Sequence, residues 1–165
     1  MSHDWTAFKL RIDIQDVSIK EVYDYWSTQH GLEDWFLKTA EFRGVNGNFR
    51  HSGEQIKKGD EYKWHWFGWG DDTVETGEIL NANGSDQISF SFEGCVVHVK
   101  IYIEEHSTIC ELVQGKIPTD EKSKASTYLG CRSGWSFFMT NLKSILEGGI
   151  DLRNKNDNLS NLINT

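Results

Sequence analysis

The sequence predicts an α+β domain: a curved antiparallel β-sheet of about seven strands wrapped on one long C-terminal helix, with two short helices after strand 1. Two observations carry that expectation. A series of period-two segments fills the middle of the chain, and a single long amphipathic stretch, Gly134 to Gly149, follows them with no other long helix to share the packing. A lone helix after an antiparallel sheet covers the concave face of that sheet. Whether the space between them is filled or hollow decides what the protein can do.

The elements follow in order. Phe8, Leu10, Ile12 and Ile14 alternate with Lys9, Arg11 and Asp13, a strand. Asp16 or Ser18 can cap a short helix carrying Val17, Val22, Tyr25 and Trp26, and Gly31 restarts a second piece, Leu32 to Phe36. Ala40 to Phe49 reads as a strand interrupted by Gly44 and Gly47, and His51 to Lys58 as a loop. Gly59 to Gly70 is a strand in which Tyr62, Trp64 and Trp66 share a face. Thr73 to Leu80, Gln87 to Phe92, Cys95 to Ile103 and Thr108 to Gly115 complete the sheet, with Asn83-Gly84 a type I′ hairpin signal. The final helix starts near Asp120 to Ser126. Its stripe is Tyr128, Cys131, Trp135, Phe138, Leu142 and Ile145, widened by Leu129, Met139 and Leu146. One domain is expected over 1–153, followed by a polar, fraying tail over 154–165.

Turn positions predict cross-strand partners. Glu93-Gly94 sets Phe90 against Val97 and Ile88 against Val99; Glu104 to Ser107 sets Ile101 against Cys110 and Val99 against Leu112. Asn83-Gly84 sets Ile79 against Ile88 and Gly77 against Phe90. Asp71-Asp72 sets Trp64 against Ile79 and Trp66 against Gly77. All four place the apolar sets on one face, with Lys63, His65, Ser89, Ser91, His98 and Lys100 on the other. Glu75 falls on the buried face, where it needs a partner or a raised pKa, unless a bulge or strand end returns it to water. Gly130 and Gly134 each cost about 1 kcal/mol in a helix, for either a close backbone approach to the sheet or room for a guest.

Composition narrows the function. The 165 residues are 38% hydrophobic and 25% charged, as in a globular domain. No apolar run approaches the roughly 20 residues of a membrane span, and Met1-Ser2-His3-Asp4 opens no secretory signal, so a cytoplasmic location is expected. The net charge of −8, with Lys57-Lys58 the only adjacent basic pair, argues against nucleic acid. Cys95, Cys110 and Cys131 read as free thiols. The scattered histidines form no HExxH motif and no cysteine pair forms CxxC, so neither a metal nor another cofactor is expected. GxSxG is absent, and the glycine pairs around Val45 and Trp69 lack the strand-to-helix context of a phosphate loop.

Seven Trp, nine Phe and five Tyr remain. Trp64, Trp66, Phe90, Trp135 and Met139 on facing elements can line an apolar pocket or fill a core. With Trp26 and Trp35 near its mouth and Glu75 as polar anchor, they are the candidate ligand-binding residues. No catalytic residue is assigned. The expected function is binding of a small hydrophobic or amphipathic molecule; the alternatives, implied by the family resemblance below and not by these residues, are a chaperone-associated interaction protein and, last, a cyclase- or hydrolase-type enzyme with Glu75 as base.

The element order, the Trp35-Phe36 pair, Gly77-Glu78-Ile79 before an Asn-Gly turn, and Gly134-Trp135 followed by Asn141-Leu142-Lys143 and Leu146-Glu147-Gly148 carry a resemblance over about Trp5 to Arg153. The chain resembles the Bet v 1/START-like superfamily, and within it bacterial proteins similar to the C-terminal domain of the Hsp90 ATPase activator. The resemblance implies a helix-grip fold with a cavity between helix and sheet. It implies no shared activity.

Overall fold

In the computed structural model, which describes residues 3–159 and 161–165, seven strands form one antiparallel sheet and a long helix lies across it. The opening Met1-Ser2 and Ser160 of the expected tail lie outside the described residues. The strands are β1 (Phe8–Ile14), β2 (Thr39–Arg43), β3 (Glu61–His65), β4 (Glu75–Ala82), β5 (Gln87–Phe92), β6 (Cys95–Glu104) and β7 (Ser107–Gly115). Their spatial order is β1-β7-β6-β5-β4-β3-β2, so the chain meanders from β2 to β7 and β1 closes the far edge. Helices α1 (Ile19–Ser27) and α2 (Gln29–Trp35) fill the β1–β2 connection.

Local chemistry sets these boundaries. Ser18 caps α1 in a full capping box with Glu21, and Thr28 caps α2 by accepting from the Gly31 N–H. Helix α2 therefore begins two residues before Gly31. Strand β2 stops at Arg43, where Gly44 to Asn48 turn back and Phe49 bridges to Arg43.

The long helix runs from Glu121 to Leu146 in three parts: one turn (α3, Glu121–Ser123), a π-helical segment (Lys124–Gly130), and α4 (Cys131–Leu146). Asp120 caps its start by accepting from the Ser123 N–H. Its stripe is buried at Tyr128, Trp135, Phe138, Met139 and Leu142, but Leu129 is exposed, contrary to the widened stripe expected. The wider π turn rotates Leu129 outward. Close backbone approach does not explain Gly130 and Gly134 either, because a Cβ at either would meet nothing within 4 Å.

Two hairpins hold the expected registers. Phe90 pairs with Val97, Ile88 with Val99, Ile101 with Cys110 and Val99 with Leu112. Both turns are two residues long with positive φ throughout: Glu93-Gly94 and Glu105-His106. The other two registers differ. Ile79 faces Phe90 rather than Ile88, because Asn83 to Asp86 form a four-residue loop whose Asn83 Oδ1 accepts the N–H groups of Ser85, Asp86 and Gln87. Gly77 therefore does not oppose Phe90; it pairs with Tyr62. Trp64 faces Glu75 rather than Ile79, and Trp66 lies beyond the end of β3. The Asp71-Asp72 turn is part of a longer connection over 66–74. Because these slips are even-numbered, the face assignment survives them. A bulge between Ile79 and Asn81 then lets both Ile79 and Ala82 face the core.

Residues 151–153 pack against the domain. Arg153, 7% exposed, donates to the carbonyls of Glu33, Asp34 and Leu37 at the end of α2, and to the Asp151 carboxylate. Asn141 of α4 donates to Trp35 O and to Asp151, and accepts from the Leu152 N–H. Further on, the Asn154 N–H reaches Asn164 O, and Thr165 sits against Gly68. Burial alone would raise the Asp151 pKa, but hydrogen bonds from Arg153 and Lys155 hold it well below the ordinary carboxylate range. Replacing Arg153 with Met takes the donor from three helix-end carbonyls and leaves Asp151 with only Asn141, Lys155 and a backbone N–H, so R153M should lose about 2–4 kcal/mol of unfolding free energy. Urea denaturation checks this; a loss below about 0.5 kcal/mol would contradict it.

Candidate functional site: the aromatic layer under the helix

Trp135 stands at the centre of the interior. Its ring lies 4.8 Å from Phe36, 5.3 Å from Phe92, 5.9 Å from Trp26 and 6.2 Å from Phe90, centroid to centroid. Trp64 approaches three of the same rings, with Phe90 at 5.4 Å, Phe36 at 5.6 Å and Phe92 at 6.3 Å. Helix, short helices and sheet thus meet in one layer of edge-to-face and tilted rings, the arrangements that aromatic quadrupoles favour.

The structure brings most of the expected site residues together. Trp26, Trp35, Trp64, Phe90, Trp135 and Met139 are all buried in this core. Trp66 is half-buried and packs on Phe36 and Phe92. Trp26 and Trp35 do not sit at a solvent-facing mouth: they are 2% and 0% exposed, and the Trp35 indole donates to Tyr25 O at 3.0 Å. Residues following Thr28 fold back over α1, and Arg153 fastens the end of α2, which covers both rings.

Glu75 lies at the edge of the layer, opposite Trp64, and its Oε1 accepts from the Glu93 N–H at 2.9 Å. Burial pushes its pKa above the ordinary value; the Glu93 N–H opposes that shift and the Glu93 carboxylate adds to it. Both expected outcomes are therefore met in part, since the carboxylate is half-buried and has a partner.

Sequence reasoning missed Gln114, a fully buried amide beneath the long helix. Its Oε1 accepts from the Trp135 indole N–H at 2.9 Å, while its Nε2 has no hydrogen-bond partner. Burial raises the pKa of the Cys95 and Cys131 thiols, Cys131 to about 11, and the Gln114 amide, which faces both sulfurs, opposes the rise, so its free end meets weak thiol acceptors and no oxygen or nitrogen. Trp26 Nε1, Ser27 Oγ and Trp64 Nε1 are likewise buried without a partner. The signal for Gln114 was present, because it follows Cys110 and Leu112 on the inward face of β7 and pairs with Val97.

At this end of the interior the π-helical segment stands off the sheet. Only Tyr128 is buried there, held by Phe8, Trp5 and His3, whose Nε2 lies 2.8 Å from the Tyr128 hydroxyl. Two clefts open on the surface, and neither lies between helix and sheet. One, of about 640 Å³, is on the outer face of β2, β3 and β4, with Phe49 and Glu78 in its walls; the other lies beside Trp69. Among the described residues no group of three or more His, Cys, Asp or Glu could hold a metal ion, and no helix is long and apolar enough to cross a membrane.

The seven-stranded sheet, its clasped helix and the aromatic layer define a helix-grip domain of the Bet v 1/START-like type. A family model described as Activator of Hsp90 ATPase homolog 1-like protein matches residues 16–147, and the chain belongs to that family. No curated protein matches it. Among solved structures, the Staphylococcus saprophyticus protein SSP2350 is similar with a TM-score of 0.68 and 15% identity, covering 89% of this chain and 96% of that one. The Aha1 dimer from Colwellia psychrerythraea gives 0.63 and 17%, covering 87% and 97%. The Nitrosomonas europaea protein NE0264 gives 0.66 and 12%, covering 88% and 97%. At these identities the likeness is one of fold.

The raised pKa of Glu75 gives a signed pH dependence. The folded state holds this proton more tightly than the unfolded chain, so Glu75 ionisation subtracts stability as pH rises through the folded pKa. Replacement by Gln keeps an oxygen for the Glu93 N–H and removes the penalty. E75Q should melt above the wild type at pH about 7, and the two curves should converge below pH about 4. Scanning calorimetry across pH checks this; a gap that widens on acidification would contradict it.

Proposed function

We propose that this chain binds a small hydrophobic or amphipathic molecule in the interior between α4 and the sheet. What carries the reading is Gln114: a fully buried amide, half committed to Trp135 and half facing only the weakly accepting sulfurs of Cys95 and Cys131, inside a layer of aromatic rings. Leaving a buried donor unmatched costs about 1–3 kcal/mol. A fold that needed only a packed core would favour an apolar residue at that position. A layer of flat side chains with a few polar groups converging on it is the usual make-up of a small-molecule site.

Entry is proposed beside the π-helical segment, between Tyr128 and the Glu93-Gly94 turn. Gly130 and Gly134 add no side chain there, and π turns recur at functional sites because they loosen the helix locally. Outward movement of this segment would uncover Cys131, Gln114 and the Trp135 and Phe92 rings, with Glu75 at the rim. The C-terminal part of α4, fastened through Asn141 and Lys143, would stay in place. The site is proposed to act by binding alone. Glu75 has no second polar group placed to share proton transfer with it, since its partner is a backbone N–H.

Native mass spectrometry of freshly purified protein, followed by denaturing extraction, should recover a bound small molecule. Titration with a lipid and aromatic library should quench tryptophan fluorescence. Recovery of nothing, with no quenching by any compound, would contradict the reading. Stimulation of an Hsp90 ATPase by the same preparation would instead favour the chaperone-associated role that the family description suggests.

A further inference from the structure

The unpartnered atoms of the interior have one chemical sense. Trp64 Nε1 and Trp26 Nε1 are indole N–H groups that can only donate, and Gln114 has spent its acceptor oxygen on Trp135, leaving the donating end; Trp64 has no acceptor at all, while Trp26 faces only the Cys110 sulfur and Gln114 only those of Cys95 and Cys131, all weak acceptors. Ser27 Oγ, which can act in either sense, is the other unpartnered buried side-chain atom among the described residues.

The charges point the same way. Among the described residues, the fully buried charged side chains are Asp60 and Arg153. Arg153 is saturated by Asp151 and three carbonyls, and Arg50 is spent on Asp60 and Glu54. An anion inside the aromatic layer would meet no free cation; at the rim the acids Glu75 and Glu93 stand on one side and the His3 imidazole, on the Tyr128 hydroxyl, on the other. A cation would find Glu75 at the rim, but deeper in it would face N–H groups that repel it. Burying an uncompensated charge is the costliest event such a site could host.

We infer, granting the interior site proposed above, that its ligand is a flat uncharged molecule bearing a hydrogen-bond acceptor such as a ketone or ester carbonyl, not a carboxylate or a phosphate ester. The carbonyl oxygen takes the Gln114 or Trp64 N–H, and the flat body lies among Phe36, Phe92 and Trp135. A fatty acid or an anionic lipid meets the apolar demand but not the charge.

Three probes of one shape test this on the intact protein at neutral pH by tryptophan fluorescence titration: fluorenone, fluorene and fluorenecarboxylate. Fluorenone should bind about tenfold or more tightly than fluorene, since only the ketone pairs a donor that fluorene leaves buried and unmatched. Fluorenecarboxylate should be the weakest. The fluorenone-to-fluorene ratio should fall several-fold in Q114L and in W64F, and W64F carries the test if Q114L does not fold. Equal affinity for fluorenone and fluorene, or tightest binding of the carboxylate, would overturn this inference and leave the interior site standing. Failure of all three to bind would overturn both.

Discussion

The hydrogen bond from the Trp135 indole to Gln114 is the contact on which the interior depends. It joins the long helix to the C-terminal end of β7, the strand that β1 and β6 flank. It also sets the angle at which Trp135 meets Phe36, Phe90 and Phe92. Without a side-chain acceptor on β7 the indole N–H would be buried and unmatched. The indole in that place is matched by a polar residue on the inward face of the sheet, as those of Trp26 and Trp64 are not. That match puts a second, free N–H in the core, because a carboxamide brings its donor with its acceptor.

The two halves of the helix are built differently. The C-terminal half is tied by polar anchors: Asn141 to the end of α2, Lys143 to Asp13 and Glu147, and Glu147 to the Gln15 N–H. These residues carry the Asn-Leu-Lys and Leu-Glu-Gly resemblance, and each has a structural task. The N-terminal half has the π-helical segment, two glycines that touch nothing, the exposed Leu129, and one buried ring, Tyr128. Segments with few buried apolar contacts open at the lowest free-energy cost. The proposed entry lies over the weak half, and the aromatic layer is the floor it would expose.

How much was legible in the sequence depended on what fixed each feature. Glu93-Gly94 and the turn before Ser107 are tight two-residue turns, so the positions of Phe90, Val99 and Cys110 followed from counting. The Asn83 turn could not be counted, because the Asn83 side chain collects three N–H groups and widens the loop. The 66–74 connection does contain a turn at Asp71-Asp72, closed by the Thr73 N–H on Gly70 O, but the ladders stop at His65 and Glu75, short of it, so counting from it fails. Inward and outward faces survived both errors, since a strand has period two. For the site, apolar alternation revealed Trp64, Phe90 and Trp135 as inward, but nothing local shows that Trp26 packs on Trp135, or that the end of α2 at Trp35 is tied to Asn141, each more than a hundred residues away. Gln114 was readable in principle, as a polar residue on an inward stripe of settled register. A search for clusters of His, Cys and carboxylates passes over a single amide.

The central claim is that buried N–H groups in this core wait for an acceptor. The most direct test is ¹⁵N-correlated NMR of the assigned Trp64 indole and Gln114 carboxamide, with and without fluorenone. In the free protein both N–H resonances should lie at the upfield positions of groups without an acceptor, and at least one should move downfield when the ketone binds, while the Trp135 indole stays hydrogen-bonded. Resonances that are already downfield in the free protein, and do not move, would contradict the account.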